Sequence, residues 1–478
     1  MAAHGNLVAG EWVPGADANR NINPSNLDDL VGEYARADAA QARAAIAAAT
    51  AAAPAWARGN LQERADLLDR IGDSILKRKT ELGTLLSREE GKTLPEGVGE
   101  ATRAGYIFKF FAGEVVRLSG EKIPSTRPGV DVEITREPIG VVGIITPWNF
   151  PLAIPAWKIA PALAHGNCVV FKPADLVPGC AWALAEIISQ AGCPPGVFNL
   201  VMGRGSVVGE ALIASPEVAG VSFTGSVETG RAVARKVVER MGKVQLEMGG
   251  KNPIVILDDA DLGAAVNCAV QGAYFSTGQR CTASSRFVVT EGIHERFVQA
   301  TIDRLKALRV DDALREGTDI GPVVDQTQLD QDLRYLEIGQ KEGARLAFGG
   351  EPLERTHRGF YLSPALFTES SNAMRINREE IFGPVASVIR VRDYDEALSV
   401  ANDTPFGLSS GIVTTSLKHA SHFKRNAQAG MVMVNLPTAG VDYHVPFGGR
   451  KASSYGPREQ GRYAAEFYTT VKTVYVAP

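Results

Sequence analysis

Two kinds of hydrophobic pattern divide the chain. Between residues 37 and 117, alanine-rich and charged stretches carry apolar residues at helical spacing, as in Leu67, Leu68 and Ile71. Because residues three and four positions apart share one face of a helix, this spacing predicts a run of helices. From about Glu133 onward, short apolar runs rich in β-branched residues alternate with helical stretches, which is typical of parallel strands buried on both faces.

The predicted strands fall into two series. The first series comprises 140–146, 167–172, 197–201 and 220–224, and the second comprises 253–257, 285–290, 385–391, 410–415 and 430–435. Helical stretches separate the runs in both series, so each predicts a doubly wound α/β domain, the first of the nucleotide-binding kind. We place the boundary between the two domains near Gly249–Gly250.

The end of the chain has a different pattern. Residues 467–476 alternate and are rich in Thr, Val and Tyr, and residues 131–138 also alternate. These two segments are suited to pair with each other. A terminal strand that leaves the body can also join the sheet edge of another subunit, so the segment predicts an oligomerisation arm.

Composition and charge exclude several classes of protein. The chain has 478 residues and a net charge of −4, from 54 acidic and 50 basic residues, with no basic block, which argues against a nucleic-acid partner. No apolar run approaches the ~18 residues that span a membrane, and the N-terminus lacks the pattern of a secretory signal. The five cysteines form no CxxC pair and the histidines are scattered. We therefore expect no metal site or disulfide framework, and a cytoplasmic location.

Two residues are candidates for chemistry on local grounds. Cys281 lies among small polar residues in STGQRCTASSR, whereas Cys168 and Cys268 lie in apolar runs. A polar setting is compatible with a reactive thiol, but local chemistry alone favours an ordinary loop cysteine. Glu247 ends an apolar run and precedes two glycines. A carboxylate held against apolar surface gains pKa and can act as a general base, but a solvent-facing strand end has the same pattern.

Two loops are candidates for binding. In FTGSVETG, a strand runs into Gly225 and a helix begins beside it, which presents backbone N–H groups to phosphate. The stretch GRGSVVG at 203–209 is a weaker example of the same kind. In TPWNFP, Asn149 follows a strand and offers an amide donor at the carboxyl edge of the sheet, where it can stabilise an oxyanion. A Pro-rich turn that only packs Trp148 and Phe150 is the alternative.

Taken together, these segments resemble the aldehyde dehydrogenase superfamily over nearly the whole chain. The matching motifs, in order, are 147–174, 223–230, 246–253, 278–286, 379–385, 402–412 and 446–456. The resemblance implies two doubly wound α/β domains, a small β oligomerisation arm and a homodimer or homotetramer. The domains that it implies are an NAD(P)-binding domain at 1–120 and 139–249, a catalytic domain at 250–455, and oligomerisation strands at 121–138 and 465–478.

The resemblance also implies a role for individual residues in oxidising an aldehyde to a carboxylate through a thiohemiacetal and a thioester. Cys281 matches the nucleophile, Glu247 the general base and Lys158 a lysine with a proton-relay role. Asn149 and the backbone N–H of Cys281 match the oxyanion hole. The residues that match cofactor contacts are Thr146, Pro147, Trp148, Lys172, Ala174, Asp175, Gly205, Phe223, Thr224, Gly225, Ser226, Glu380 and Phe382. The residues expected to bind substrate are Arg280, Trp157, Phe275 and Phe447.

Finer expectations concern the cofactor and the substrate. Asp175 can accept a hydrogen bond from a ribose 2′-OH and repel a 2′-phosphate, so we expect NAD to be preferred and NADP to be usable. The C-terminal segment 446–476 looks most like members that oxidise α-ketoglutaric semialdehyde. Arg280 is then expected either to meet the far carboxylate of the substrate or to point away and pair with a surface acid.

Other functions stay open at this point. The substrate could be succinic semialdehyde or another small aldehyde, although Trp157 and Phe275 stand where succinic semialdehyde dehydrogenases place arginines. A member that transfers the acyl group to coenzyme A would not need Glu247. An inactive structural homologue would not need the set of Asn149, Glu247 and Cys281. One departure from the family pattern is Thr470, where many members carry a glutamate.

Overall fold

The computed structural model describes residues 3–477, so residues 1, 2 and 478 of the predicted ranges lie outside the described part. The strands in the first half are β1 (Asn6–Val8), β2 (Glu11–Val13), β3 (Asp17–Asn23), β4 (Asn26–Arg36), β5 (Glu121–Pro124), β6 (Asp131–Pro138), β7 (Val141–Ile145), β8 (Cys168–Lys172), β9 (Phe198–Leu200), β10 (Val218–Thr224) and β11 (Lys243–Glu247). The later strands are β12 (Asn252–Ile256), β13 (Ser284–Thr290), β14 (Arg345–Phe348), β15 (Ala365–Ser370), β16 (Val385–Val391), β17 (Ser409–Val413), β18 (Met431–Val434), β19 (Ser454–Tyr455) and β20 (Thr469–Val476).

The helices account for most of the remaining regular structure. They are α1 (Ala39–Ala57), α2 (Leu61–Lys77), α3 (Lys79–Glu90), α4 (Leu94–Glu114), α5 (Ala153–Ala164), α6 (Pro178–Gln190), α7 (Glu210–Ala214), α8 (Val227–Glu239), α9 (Leu262–Tyr274), α10 (Glu291–Lys306), α11 (Gln326–Lys341), α12 (Arg375–Arg378), α13 (Tyr394–Asn402), α14 (Leu417–Asn426) and α15 (Ala465–Tyr468). Helices α1 to α4 confirm the prediction for 37–117. On α2 the side chains of Leu67, Leu68 and Ile71 are buried, as their spacing requires.

The first large sheet has the strand order β19-β11-β10-β7-β8-β9-β1-β2 within residues 3–477. Strands β11, β10, β7, β8 and β9 are parallel, which confirms the first predicted series. The register pairs Thr224 with Glu247, Phe223 with Ile145, and Ile145 with Lys172. The carboxyl ends of four strands therefore meet at one edge, where ligands bind in open parallel sheets.

The second large sheet has the order β14-β15-β16-β13-β12-β17-β18 in the described chain. All its pairings are parallel except that of the edge strand β14, so the second predicted series is also confirmed. Strand β13 begins three residues after Cys281. The backbone before this cysteine is left-handed at Ser276, Thr277 and Gly278, with φ of 50°, 56° and 68°. Such a turn is strained for the two non-glycine residues and is typical of functional sites.

The predicted pairing of the terminal segment is present within this chain. Strand β20 pairs antiparallel with β6 from Thr469–Pro138 to Val476–Asp131, and β6 pairs with β5. Val471 and Tyr475 on β20 are more than half exposed. The β3–β4 hairpin and strands β14 and β15 were not predicted. Within residues 3–477, every helix is too short or too polar to cross a bilayer.

Candidate active site

The loop that carries Cys281 is fixed to the second sheet by its backbone. The Asn252 side chain donates to the carbonyls of Cys281 and Ala283, at 2.7 Å and 3.0 Å. The Gln279 carbonyl accepts from the Asn149 side chain at 2.9 Å, so the Asn149 loop of the first sheet reaches the same place. Asn149 and Cys281, which are predicted to act together, are therefore held close to each other through the Gln279 carbonyl.

Cys281 and Cys193 are the partly exposed cysteines of the described chain, and of these two Cys281 lines a cavity. Its side chain is partly buried, whereas Cys168 and Cys268 are fully buried in the hydrophobic cores, as their apolar sequence surroundings predicted. Burial raises the pKa of the Cys281 thiol above its usual range, and the carboxylates of Glu380 and Glu247 raise it further. The resting group is therefore a thiol whose proton must be removed before or during attack.

Glu247, the residue predicted to act as the general base, is a buried carboxylate. It is 3% exposed at the end of β11, and the Ser454 hydroxyl donates to it at 2.6 Å. Burial raises the pKa of Glu247 well above its ordinary value, and the negative charge of Glu459 raises it further. This agrees with the expectation from its apolar surroundings, and such a group can take up a proton near neutral pH.

Lys158 makes an ion pair that the sequence did not reveal. Its ammonium group contacts Glu459 and donates to the Ser222 hydroxyl at 2.9 Å, with both charged side chains at most 1% exposed. Glu459 Oε2 is buried and has no hydrogen-bond partner among the described residues. Nothing in the local pattern of GPREQG marks Glu459 as buried. Only the return of the chain past β19 to the first sheet brings it to Lys158.

A second buried pair supports the Asn149 loop. Lys92 donates to Glu100 at 2.8 Å and to the Asn149 carbonyl at 2.7 Å. Glu100 also accepts from the backbone N–H groups of Leu152 and Ala153. The pair thus holds the turn between β7 and α5 in place. These residues were not predicted, because they lie in a helical region whose charges look solvent-exposed in sequence.

The predicted cofactor residues gather along the carboxyl edge of the first sheet. Lys172 is 6% exposed, and its ammonium group donates to the Pro173 carbonyl at 2.8 Å and lies 3.9 Å from Asp175. Helix α8 begins after Ser226, whose hydroxyl accepts from the N–H of Thr229. The Thr224 hydroxyl is buried without a partner in the described structure. The unpaired Thr224 hydroxyl, the Lys172 ammonium group and the N-terminus of α8 together fit the phosphates and ribose of a dinucleotide.

The remaining predicted cofactor residues surround this edge. Glu380 accepts from the Gly250 N–H at 2.8 Å, and burial raises its pKa to about 7. The rings of Trp148 and Phe382 contact edge to face at 5.4 Å. Thr146 donates from its backbone to Lys172. The others lie in the strand ends and turns of the same region, namely Pro147, Ala174, Gly205, Phe223 and Gly225.

A cavity of about 270 Å³ opens at Cys281. Trp157 and Phe447 line it and stack with ring centres 5.3 Å apart, as the prediction of a substrate site requires. Arg280 also lines it, but its guanidinium is paired with Glu96 at 3.3 Å. Arg280 therefore lines the cavity, as a substrate contact would, and also pairs with an acid, as the alternative expected. Phe275 does not line this cavity, and its ring packs against the core of the second sheet, so its role in substrate binding stays a prediction.

Within residues 3–477 there is no group of three or more His, Cys, Asp or Glu side chains placed to hold a metal ion.

Comparisons with known proteins give a consistent picture. A family model described as "Aldehyde dehydrogenase family" matches residues 12–474. An α-ketoglutaric semialdehyde dehydrogenase from Bacillus subtilis is 44% identical over 99% of this chain and 98% of its own length. A betaine aldehyde dehydrogenase from Cereibacter sphaeroides is 42% identical over 91% of this chain and 88% of its own. A crystal structure of Staphylococcus aureus betaine aldehyde dehydrogenase with NAD+ is 34% identical, covering 100% of this chain and 95% of that one, with a TM-score of 0.97.

Proposed function

This chain belongs to the aldehyde dehydrogenase family, and from that premise we propose that it oxidises α-ketoglutaric semialdehyde to α-ketoglutarate with NAD as electron acceptor. The family and the fold of two α/β domains agree with what the sequence predicted. The observation that carries the proposal is the setting of Cys281, which lines the cavity. The Asn149 side chain donates to the carbonyl two residues before this cysteine, and the Glu247 carboxylate is near enough to raise the pKa of its thiol.

The first step is attack by Cys281 on the aldehyde carbonyl. Burial and the nearby carboxylates hold the thiol protonated at rest, so the proton leaves as the sulfur–carbon bond forms. That proton passes to solvent, so this step does not need Glu247, which stays ready to act as the base in the later hydrolysis. The product of this step is a thiohemiacetal on Cys281.

The oxygen that becomes negative in this step needs donors. The Asn149 side-chain amide has a second N–H beyond the one that meets the Gln279 carbonyl, and the backbone N–H of Cys281 lies beside its own sulfur. The Lys92–Glu100 pair holds the Asn149 loop, and the Asn252 side chain holds the Cys281 loop, so both groups are in place before the substrate arrives. Such pre-oriented donors stabilise the oxyanion.

The last step is hydrolysis of the thioester. Glu247 takes a proton from water, the hydroxide oxygen bonds to the acyl carbon, and the carbon–sulfur bond breaks. The Cys281 thiolate then takes up the proton that the new carboxylic acid loses, while the proton from water stays on Glu247. Lys158 and Glu459 lie next to this base and set its charge environment. We propose that they pass its proton onward, through the unpartnered Glu459 Oε2.

The residues proposed to hold NAD are those at the carboxyl edge of the first sheet. Lys172 and Asp175 would bind the adenine ribose, Gly225 and Ser226 the phosphates, and Glu380 the nicotinamide ribose. When bound, the oxidised nicotinamide supplies the acceptor for the hydride that converts the thiohemiacetal to a thioester. We assign cofactor binding to 1–120 and 139–249, and catalysis to 250–455.

The exposed β arm has a proposed role in assembly. Strand β20 leaves the body of the chain, and Val471 and Tyr475 on it are exposed. A sheet of this kind can pair with or pack on a second copy, so we propose a homodimer or homotetramer. The cytoplasm remains our proposed location.

The charge of the cavity favours an anionic aldehyde over betaine aldehyde, which carries a quaternary ammonium group. The charged side chains that line the cavity in the described structure are three cations, Lys92, Arg103 and Arg280, and two carboxylates, Glu96 and Glu100. An excess of positive charge attracts a carboxylate and repels a trimethylammonium group.

A panel of four aldehydes tests the proposal. Purified protein with NAD, and without coenzyme A, is assayed on α-ketoglutaric semialdehyde, succinic semialdehyde, propanal and betaine aldehyde. We expect the largest kcat/KM for α-ketoglutaric semialdehyde, and no turnover by Cys281→Ala. An equal or larger kcat/KM for betaine aldehyde or propanal refutes the substrate, and a requirement for coenzyme A refutes the hydrolytic step.

A further inference from the structure

Arg103 lies in the middle of α4 and lines the cavity that opens at Cys281. Its guanidinium carbon is 5.6 Å from the centre of the Trp157 ring, and this ring in turn stacks on Phe447. The aromatic wall therefore holds the planar guanidinium by a cation–π contact and limits its freedom. Neither the family motifs nor the local pattern singled out this residue.

Arg103 differs from the other two cations of the cavity in having no acidic partner. Lys92 is paired with Glu100 at 2.8 Å, and Arg280 with Glu96 at 3.3 Å. Within residues 3–477, no carboxylate oxygen lies within 4.0 Å of the Arg103 guanidinium. The charges of two cations are thus compensated by the protein, and the charge of the third is not.

The donors of Arg103 are also incompletely used. Its Nη2 donates to the Gln460 side chain at 3.2 Å, and its Nε is buried without an acceptor in the described structure. Burial lowers the pKa of Arg103 below its usual value, while the charges of Glu100, Asp442 and Cys281 raise it in turn. An arginine nevertheless stays protonated at physiological pH.

Arg103 is partly buried, and a cation that is largely removed from water without a partner costs free energy, which is offset when an anion binds. The fork of a guanidinium matches the two oxygens of a carboxylate, which is the geometry of the strongest such pairs. The same wall holds a second buried donor without an acceptor, Trp157 Nε1. The wall is therefore suited to a group rich in acceptor oxygens, as the keto-acid end of α-ketoglutaric semialdehyde is.

We propose that Arg103, rather than Arg280, binds the carboxylate of the substrate and so determines the specificity of the enzyme for an acidic semialdehyde. This inference rests on the proposed function. In this arrangement Arg280 keeps Glu96 and, through it, the start of the Cys281 loop in place, because Glu96 also accepts from the N–H and hydroxyl of Ser276.

The test compares Arg103→Met with the matched variant Arg280→Met. The measured quantity is the ratio of kcat/KM for α-ketoglutaric semialdehyde to kcat/KM for propanal. Arg103→Met is expected to lower this ratio about 10- to 100-fold, mainly through KM for the semialdehyde, since a charged hydrogen bond to the substrate is lost. Arg280→Met is expected to lower the ratio less than about threefold.

A second measurement needs no turnover. α-Ketoglutarate should slow the alkylation of Cys281 by iodoacetamide in the wild type and in Arg280→Met, and should give little protection in Arg103→Met. Thermal unfolding shows whether each variant is folded. If Arg103→Met does not fold, Arg103→Lys replaces it, and a smaller fall of the ratio in the same direction is expected because the planar fork is lost.

The outcomes separate the two proposals. If the wild type does not prefer the semialdehyde to propanal, the proposed function fails and this inference fails with it. If the wild type has the preference and the Arg103 variants keep it, or if Arg280→Met removes it instead, Arg103 is not the specificity residue, although the proposed function stands.

Discussion

Two buried lysine–glutamate pairs at this site have the same chemistry but different surroundings. In the first, Lys92 and Glu100 are 2.8 Å apart, with side chains 1% and 2% exposed. In the second, Lys158 and Glu459 are in contact, with side chains 0% and 1% exposed. Both pairs bring two charges out of water, which is costly unless hydrogen bonds satisfy the remaining donors and acceptors.

The pairs differ in how far this requirement is met. Both oxygens of Glu100 accept hydrogen bonds, one from Lys92 and the other from the N–H groups of Leu152 and Ala153. Glu459 uses one oxygen, and the other has no partner among the described residues. The satisfied pair has a fixed geometry and serves as a support. The incompletely satisfied pair keeps an open position for a proton and changes the pKa of Glu247.

The largest expected effect comes from removing the base that the second pair serves. Glu247→Gln should lower steady-state turnover by ~10²- to 10⁴-fold, because water is no longer activated. A stoichiometric burst of reduced cofactor should remain, since the hydride leaves before hydrolysis. Rapid-mixing absorbance measurements resolve the two phases. Unchanged steady-state rates would show that Glu247 is not the base. The Lys158–Glu459 pair would then have no catalytic group to act on.

Breaking the first pair should mainly lower stability. In Lys92→Met the buried carboxyl groups of Glu100 and Glu90 lose the ammonium group that lies 2.8 Å and 3.9 Å from them, so the free energy of unfolding should fall by about 3–5 kcal/mol. Denaturant titration measures this. The matched control is Lys109→Met, which removes a partly exposed lysine paired with the exposed carboxylates of Asp69 and Asp73, and there the loss should be at most about 1 kcal/mol. Equal losses for the buried and exposed pairs contradict the supporting role of Lys92 and Glu100.

Breaking the second pair should move the pH dependence of hydrolysis. Glu247 acts as a base only when ionised, so activity rises as pH passes upward through its pKa. Glu459→Gln removes a negative charge that raises this pKa, so the rise should move to lower pH. Lys158→Met removes a positive charge that lowers it, so the rise should move to higher pH.

Each of these shifts should be roughly one pH unit or less. The pH profile of kcat for the two variants measures them, and Glu100→Gln serves as the control with the profile in its wild-type position. Shifts of the same sign in Glu459→Gln and Lys158→Met contradict the account, because one variant removes a negative and the other a positive charge.

A further lysine–carboxylate pair, at the predicted cofactor site, has one partner that is partly exposed to solvent. Lys172 and Asp175 are 3.9 Å apart, with Asp175 about a third exposed at 32%. Asp175→Ala should raise kcat/KM with NADP relative to NAD by roughly tenfold or less, since a partly solvated charge repels the 2′-phosphate only moderately. Steady-state kinetics with both cofactors measures the ratio. A wild type that strongly prefers NADP would contradict the assignment of Asp175.

Much of the fold could be predicted from the sequence, because both large sheets consist of buried apolar runs separated by helices. The β3–β4 hairpin could not, since Asn-rich stretches such as DANRNINPSN carry no alternating apolar face. Strand β15 was missed because no apolar alternation marks its start next to Pro364.

Cys281, Glu247 and Asn149 could be predicted because they lie in sequence motifs that occur in a defined order. These motifs contain the residues expected to contact the reacting atoms. Lys92, Glu100 and Arg103 lie instead in charged helical sequence that is typical of a solvated face. The packing of α4 against α5 buries Glu100 and partly buries Arg103, and Lys92, in the turn before α4, is buried against the Asn149 loop. Glu459 likewise becomes recognisable only when the chain returns to the first sheet, more than 200 residues after Glu247.

The mass of the trapped intermediate tests the central claim most directly. Glu247→Gln is mixed with NAD and α-ketoglutaric semialdehyde, quenched in acid after one turnover, digested and examined by mass spectrometry. The account predicts an acyl group derived from α-ketoglutarate on the peptide that contains Cys281, in near-stoichiometric amount, and no such group in the wild type at the end of the reaction. An unmodified Cys281 in a variant that has reduced one equivalent of NAD, or an acyl group on another residue, would contradict it.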